Sequence, residues 1–392
     1  MTEPQDRLFD PLDGRFFEDP YPTYRRLRDQ APAYRDDATG LWLITRYSDV
    51  ERAAIDYETF SSCRGNVTID APMRVGKTLG SMDPPRHDQL RRVVQRTLSP
   101  TRVANLVPVI REETRRRLAM LADREVCDFV ADIGKPLLFG AIGLLLGLDE
   151  EAAAKSGALM TGLFRGDDGP MGTVLPSERF DQIGQFLAGE LAGREETPGD
   201  DLFSVLLEAK RQGAPLSDPE IVANLSTVLL AGNASAGHLF PNIMNALWLY
   251  PDERRKVLAD PSKIHAVIEE SVRWDTSTQC FARQVMKNVR IGDVDIPAGS
   301  RAVIFFGSAN RDERVIDQPD LFNIDRKRVK HFGFGAGQHL CAGAFVAKSI
   351  LKSILEEILP ILGEYDLDLN HAERARHVMV RGFTKLPISW TR

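Results

Sequence analysis

Phe334-Gly335-Ala336-Gly337-Gln338-His339-Leu340-Cys341-Ala342-Gly343 is the stretch on which the reading of this chain turns. Gly335, Gly337 and Gly343 clear side chains from a short loop, so its backbone can approach a flat ligand closely. Apolar residues then recur at Val346, Ile350, Leu351, Ile354, Leu355, Ile358 and Leu359, a helical spacing that puts Cys341 at the mouth of a helix. Free amides there hydrogen-bond a thiolate and lower its pKa. A lone cysteine beside a Gly-rich turn is more often a buried structural residue. The full spacing argues instead for an anionic sulfur presented by a loop.

Upstream, residues 262–274 form a helix in which Glu270 and Arg273 share one face at i, i+3. Short strands follow at 281–286, 289–291, 294–296 and 301–306, punctuated by Gly292 and the Pro297-Ala298-Gly299 turn. Ser217 and Glu220 have capping-box spacing, and apolar residues continue nearly all round to Tyr250, which predicts a buried central rod of some thirty residues, roughly 45 Å long. Pro241 inside it predicts a bend or bulge. Residues 22–30, 86–97 (strongly basic), 102–121 and 178–192 also read as helices, 41–45 as a strand and 194–201 as a loop.

The 392 residues are 43% hydrophobic and 27% charged, a globular composition able to bury a large core and enclose a cofactor. A net charge of −6 argues against a nucleic-acid coat. Four cysteines without a CxxC pair argue against a disulfide framework or zinc site and fit a reduced cytoplasm. Neither a signal-peptide pattern nor a run of eighteen uncharged apolar residues occurs, so a soluble, intracellular protein with no membrane partner is expected.

The spacing FGxGxHxCxG resembles the cysteine-loop signature of the cytochrome P450 family at every fixed position. Glu270-Ser271-Val272-Arg273 is similar to the family's ExxR, and residues 307–325 resemble its loop before the cysteine; the resemblance runs from about Pro20 to Trp390. It implies the mainly α P450 fold with a small β subdomain, one domain over 1–392, and a buried haem b with Cys341 as iron ligand. Such a thiolate pushes electron density to the iron and favours O–O cleavage. A bidentate Glu270–Arg273 pair would brace the loop beneath the haem. By resemblance, His87 and Arg91 on the basic helix, Arg283 in the first strand after ExxR, and His339 match the haem propionate ligands.

The central helix departs from the family pattern. Where monooxygenases of the family show AGxDT or AGxET, this chain has Ala231-Gly232-Asn233-Ala234-Ser235, followed by Ala236-Gly237-His238. The carboxylate is gone and a hydroxyl remains. Ser235 is the expected proton-relay residue, with Asn233, His238 or the substrate as alternatives. The segments similar to guaiacol-type aromatic O-demethylases point to O₂-dependent hydroxylation or O-dealkylation of a small organic substrate, aromatic ones included, with electrons from a ferredoxin and ferredoxin reductase. The missing acid leaves open a nitric oxide reductase-like or peroxide-using enzyme, or a catalytically quiet haem protein. Phe164, Ala231, Gly232, Val380 and Phe383 are candidates for the substrate pocket. Arg326, Lys327, Arg328, Lys330, His331, Lys348 and Lys352 form a candidate docking surface for an acidic ferredoxin.

Overall fold

Ser217 fixes where the longest helix begins. In the computed structural model, which describes residues 7–160, 171 and 177–390, the Ser217 hydroxyl accepts from the Glu220 N–H. Glu220 Oε2 in turn accepts from the Ser217 N–H at 2.9 Å, the expected reciprocal cap. The helix Asp218–Leu249 then runs for 32 residues. Ile221, Leu225, Leu229, Phe240, Ile243 and Leu247 are fully buried around it, so it is the rod about which the core is built. α-Helical pairing continues through Pro241, so no π-bulge opens there. A six-residue π-helical turn occurs instead at Phe129–Gly134, where Phe129 meets Phe240 of the central helix edge-on at 4.8 Å.

Two further long helices, Pro100–Met120 and Ala344–Leu362, pack against each other. The helix Lys135–Leu146 packs against the central helix through Gly232: a Cβ there would stand 2.5 Å from Ile142 Cδ1. The described stretch long and apolar enough to cross a membrane, Phe129–Leu146, contains Asp132 and Lys135 and is 61% buried within the fold. The β part is small. Its main sheet orders the strands Ala33–Arg35, Trp42–Ile44, Arg301–Phe305, Cys280–Val285 and Phe60–Ser61. Cys280–Val285 and Arg301–Phe305 pair antiparallel with Arg283 opposite Ala302, which fixes the direction of the Arg283 side chain.

Most of the expected elements lie where the sequence puts them. The basic helix is Arg86–Thr97, the ExxR helix Ile264–Trp274, and the strands fall at 280–285, 289–291, 294–296 and 301–305. The helix expected at 178–192 extends to Glu196, which shortens the loop assigned to 194–201. Helices at Tyr47–Ile55, Glu150–Met160 and Leu202–Arg211 had no expectation attached to them.

Candidate functional site

The cysteine loop is shaped by backbone that only glycine adopts comfortably. Gly335 and Gly337 have φ of +72° and +62°. A Cβ on Gly337 would press on Ala54 O at 3.3 Å, and one on Gly333 would reach 2.3 Å from Val272 Cγ1. The Cys341 N–H donates to Phe334 O at 2.8 Å, closing the loop on itself. Cys341 is solvent-accessible, yet the protein crowded around it pushes its thiol pKa up. The Gly343 N–H pulls the other way, with Arg91 and Lys348 helping. A cation bonded to the sulfur would deprotonate it outright.

Below the loop, Glu270 and Arg273 form the expected bidentate pair: Arg273 Nε donates to Glu270 Oε2 at 2.8 Å and Nη2 to Oε1 at 2.7 Å. Arg273 is 1% exposed. Its remaining donors reach the carbonyls of Asn310, Pro319 and Leu321. Glu270 Oε1 also accepts from the Asn323 N–H and from Arg326 Nε, both at 3.0 Å. The buried pair thus has a third, half-buried member in Arg326, one of the residues of the candidate docking surface.

On the other side of the loop, four cationic or titratable groups expected to act together converge. The His87 and His339 rings are 4.7 Å apart. Buried His87 has its Nδ1 on Asp88, while its Nε2 is buried with no partner among the described residues. His339 Nε2 meets Ser62 Oγ at 3.1 Å and lies 3.9 Å from Asp83. Burial, then the Arg283 and His87 charges, push the His339 pKa down to about 4 against the pull of Asp83. Arg283 is buried with its Nη1 on its neighbour's carbonyl, Ala282 O; burial and Arg301 push it down to about 10. Burial raises the Asp83 carboxyl, but hydrogen bonds from His339, Ser61 and the Ser62 N–H outweigh that and hold it low. A buried guanidinium without a carboxylate partner, beside an unsatisfied imidazole nitrogen, suits an anionic guest. Arg91 differs from expectation: Nη1 and Nη2 donate to Gln338 O and Leu340 O at 2.8 and 2.7 Å, so it also shapes the loop. Asp83 and Ser62 escaped sequence reading because nothing in the stretch around them announces a site.

On the central helix, Ser235 Oγ donates to Ala231 O at 2.6 Å, so the hydroxyl proton is engaged by the helix and the oxygen keeps only its role as an acceptor. Ala231 is exposed although it lies mid-way along the most buried helix. Of the other pocket candidates, Gly232 abuts Ile142, and Val380 and Phe383 are 8% and 2% exposed. Phe383 packs in the main core under the Arg374 guanidinium, 4.0 Å away. Phe164 lies outside the described residues. Asn233 Nδ2 is used by Leu229 O, and its Oδ1 is buried and unpaired. His238 packs on Gly382, where a Cβ would come within 2.4 Å of His238 Cβ. Burial first, then Lys135 and His377, push its pKa down to about 4, so the ring is neutral near pH 7.

The basic residues flanking the loop are largely paired. Lys330 meets Glu51, Lys348 and His331 meet Glu269, and Lys352 meets Glu356. Lys327 and Arg328 are exposed with no ion pair among the described residues, and the apolar side chains of Leu340 and Phe345, which flank Cys341 in sequence, stand about half exposed.

A mainly helical fold with one cysteine presented by a glycine loop, a buried anion cradle beside it and no cluster of metal-ligating side chains among the described residues defines a thiolate-ligated haem protein. The Cytochrome P450 family model matches residues 263–385. Cytochrome P450 123 of Mycobacterium tuberculosis is 34% identical over 389 residues, covering 97% of this chain and 96% of that protein. Linalool 8-monooxygenase of Pseudomonas putida is 27% identical, covering 94% and 95%. The structure of cytochrome P450 CREJ in complex with (4-ethylphenyl) dihydrogen phosphate superposes with a TM-score of 0.89 at 27% identity, covering 98% of this chain and 99% of that one. The chain belongs to the cytochrome P450 family. It is a haem-thiolate monooxygenase whose cofactor is haem b and whose reactants are a small molecule, O₂ and electrons from redox partners.

Proposed function

We propose that the chain, acting as one domain over 1–392 in the cytoplasm, hydroxylates or O-dealkylates a small aromatic substrate above a haem held by Cys341. The observation that carries this reading is the open face of the central helix, where exposed Ala231 adjoins the acceptor oxygen of Ser235. Aromatic chemistry has its support in the ligand of CREJ, a 4-ethylphenyl phosphate. When bound, the haem supplies reductive activation of O₂.

The chain's own residues have separable duties. Cys341 gives the sulfur, and the Gly343 N–H steadies its charge. His87, through its buried Nε2, with His339 and Arg283, would hold the propionates. Arg91, held by the carbonyls of Gln338 and Leu340, would add its charge to the same cradle and to the sulfur. Ser235 holds water at its oxygen, since its hydrogen belongs to Ala231 O. With Ala234 in place of an acid, proton delivery rests on that water, a relay with no ionisable group of its own.

An acidic ferredoxin, itself reduced by a ferredoxin reductase, is the electron donor this reading favours, docking over Leu340 and Phe345 with Lys327, Arg328 and Lys352 at the rim. The four unpaired cysteines accord with a reducing compartment. The test measures product per reducing equivalent on a substrate that shifts the Soret band. Ser235→Ala should consume NAD(P)H with peroxide release and falling product. Equal coupling in both proteins overturns the relay role of Ser235. Faster turnover with peroxide alone than with ferredoxin and O₂ would overturn the O₂-dependent reading.

A further inference from the structure

Arg74 sits where three segments meet above the open face of the central helix. Its Nε donates to Asp70 Oδ1 at 2.8 Å and its Nη1 to Thr227 Oγ1 at 3.2 Å, while its guanidinium carbon lies 6.0 Å from the centroid of the Phe180 ring. Arg74 and Asp70 are 6% and 7% exposed. Thr227 gives its own proton to Ala223 O at 2.9 Å, so towards Arg74 it can only accept. Thr227, Ala231 and Ser235 recur at i, i+4 and i+8 and share one helix face. Arg74 therefore caps the N-terminal end of that face, about 12 Å along the axis from Ser235.

The charges around Arg74 do not cancel. Arg301 also faces Asp70, and its Nη2 donates to the carbonyls of Gly65 (2.9 Å) and Val67 (2.5 Å). Arg301 Nη1 and Asp70 Oδ2 are both buried without a hydrogen bond. Among the described residues one carboxylate thus serves two guanidinium groups, leaving one positive charge over. Arg74 Nη2 makes no hydrogen bond among the described residues and, unlike Arg301 Nη1, is not sealed inside the protein, so it is the donor left open to a guest.

We propose that Arg74 determines specificity by receiving the carboxylate of an elongated substrate whose opposite end lies at Ser235. The proposal rests on the reading that oxidation takes place at the Ala231–Ser235 face. It names the substrate class as anionic, with a carboxylate roughly 8–10 Å from the reacting carbon, the helix rise less the reach of the arginine bond.

The test compares two probes of one shape, trans-4-methoxycinnamic acid and trans-anethole, in which a methyl group replaces the carboxylate. Dissociation constants come from the Soret shift of the holoenzyme. Because removing Arg74 alone strands buried Asp70, the principal variant is Asp70→Asn/Arg74→Met, with Arg74→Lys alongside. The acid should bind the double variant about ten- to a hundred-fold more weakly than wild type, as for loss of a charge-assisted bond. Anethole should change less than about threefold, and Arg74→Lys should fall between for the acid. Equal acid affinity in wild type and double variant overturns the proposal, as does a wild type that binds anethole but not the acid. Retention of the red-shifted CO band in each variant checks the haem-thiolate site. Formaldehyde release from anethole keeps the O-dealkylation reading separate, since it should survive even if the carboxylate site does not exist.

Discussion

Arg273→Lys probes the brace beneath the cysteine loop. Arginine presents five N–H groups in a rigid fork, whereas lysine has three donors on one point. Here all five are in use: two on Glu270 and one each on the carbonyls of Asn310, Pro319 and Leu321. A lysine leaves at least two acceptors unsatisfied. At about 1.5–3 kcal/mol per charge-assisted bond, the loss is about 3–6 kcal/mol. Glu270 keeps Arg326 and the Asn323 N–H, so the lower half of that range is expected. That is a large part of an ordinary stability of about 5–15 kcal/mol. At about 2.1 cal/mol/K of unfolding entropy per residue, 1 kcal/mol shifts the midpoint of a chain of this size by about 1.2 °C, so the melting midpoint should drop by about 4–5 °C. The Soret band should fail first, since Asn310, whose carbonyl Arg273 holds, also accepts from the Phe332 N–H at 2.6 Å through its side chain. Melting followed by circular dichroism and by Soret absorbance reads both. A lysine variant that melts within about 2 °C of wild type with full haem content would refute the reasoning.

Cys341→Ser should fold, as judged by far-ultraviolet circular dichroism, and lose the red-shifted CO band; a variant that keeps the band cannot have Cys341 as its ligand. His238→Gln should flatten the acid limb of the stability curve. The folded chain holds the ring neutral with its pKa near 4, against an ordinary 6.5 once unfolded, so the unfolded chain binds the extra proton between those values. Stability should therefore fall from pH 6.5 to pH 4 by about 3 kcal/mol in wild type, and not above pH 6.5; urea midpoints that shift equally in both proteins between pH 7 and pH 4.5 would sink this. Reversing Lys327 and Lys352 to Glu should slow ferredoxin-driven reduction of the iron at low salt and converge with wild type at high salt, as screening requires. Rates identical at low salt would remove the docking surface.

Legibility in the sequence followed how local each constraint is. The cysteine loop could be read because glycines, cysteine and the following helix lie within ten residues, and the capping box at Ser217 because its two partners are three apart. Glu270 and Arg273 were legible as a pair, but Arg326 was not as their third member, since its link spans 56 residues and its neighbours Lys327 and Arg328 make it look like one of a surface cluster. The same masking affected Arg91, whose acceptors lie nearly 250 residues away. Gly232 read as pocket by its place in the motif, and only the packing of Ile142 shows which side it turns to. Helices such as Tyr47–Ile55 and Leu202–Arg211 are only nine and ten residues long, so each offers fewer than three turns from which a period can be read. Of the bend or bulge expected at Pro241, the bulge is not formed, because α-helical pairing carries on past the one missing N–H.

The helix Ile264–Trp274 ties together the two faces on which the enzyme depends. Its Glu270 and Arg273 grip the segment 310–323 below the cysteine loop. Asp275, the residue at its end, accepts from Arg381 Nε at 2.5 Å and Tyr21 Oη at 2.7 Å. Burial raises that carboxyl, but Arg381, Arg374 and Arg311 outweigh it and hold it ionised. Two residues further on, Ser277 O accepts from the Arg381 N–H, and the Gln279 N–H donates to Met379 O, both at 2.8 Å. The segment 377–382 is thereby fastened to the same helix, and its Gly382 lies against His238 of the central helix. One rigid element thus fixes the sulfur from below and a wall near Ser235 from the other side, so the distance between them is set by covalent geometry and buried ion pairs rather than by loops. This helix and the segments it fastens lie within the stretch 263–385 that matches the family model. Substrate choice, by contrast, falls to residues such as Arg74, which lie outside that stretch and can vary without disturbing the spacing of the reacting groups.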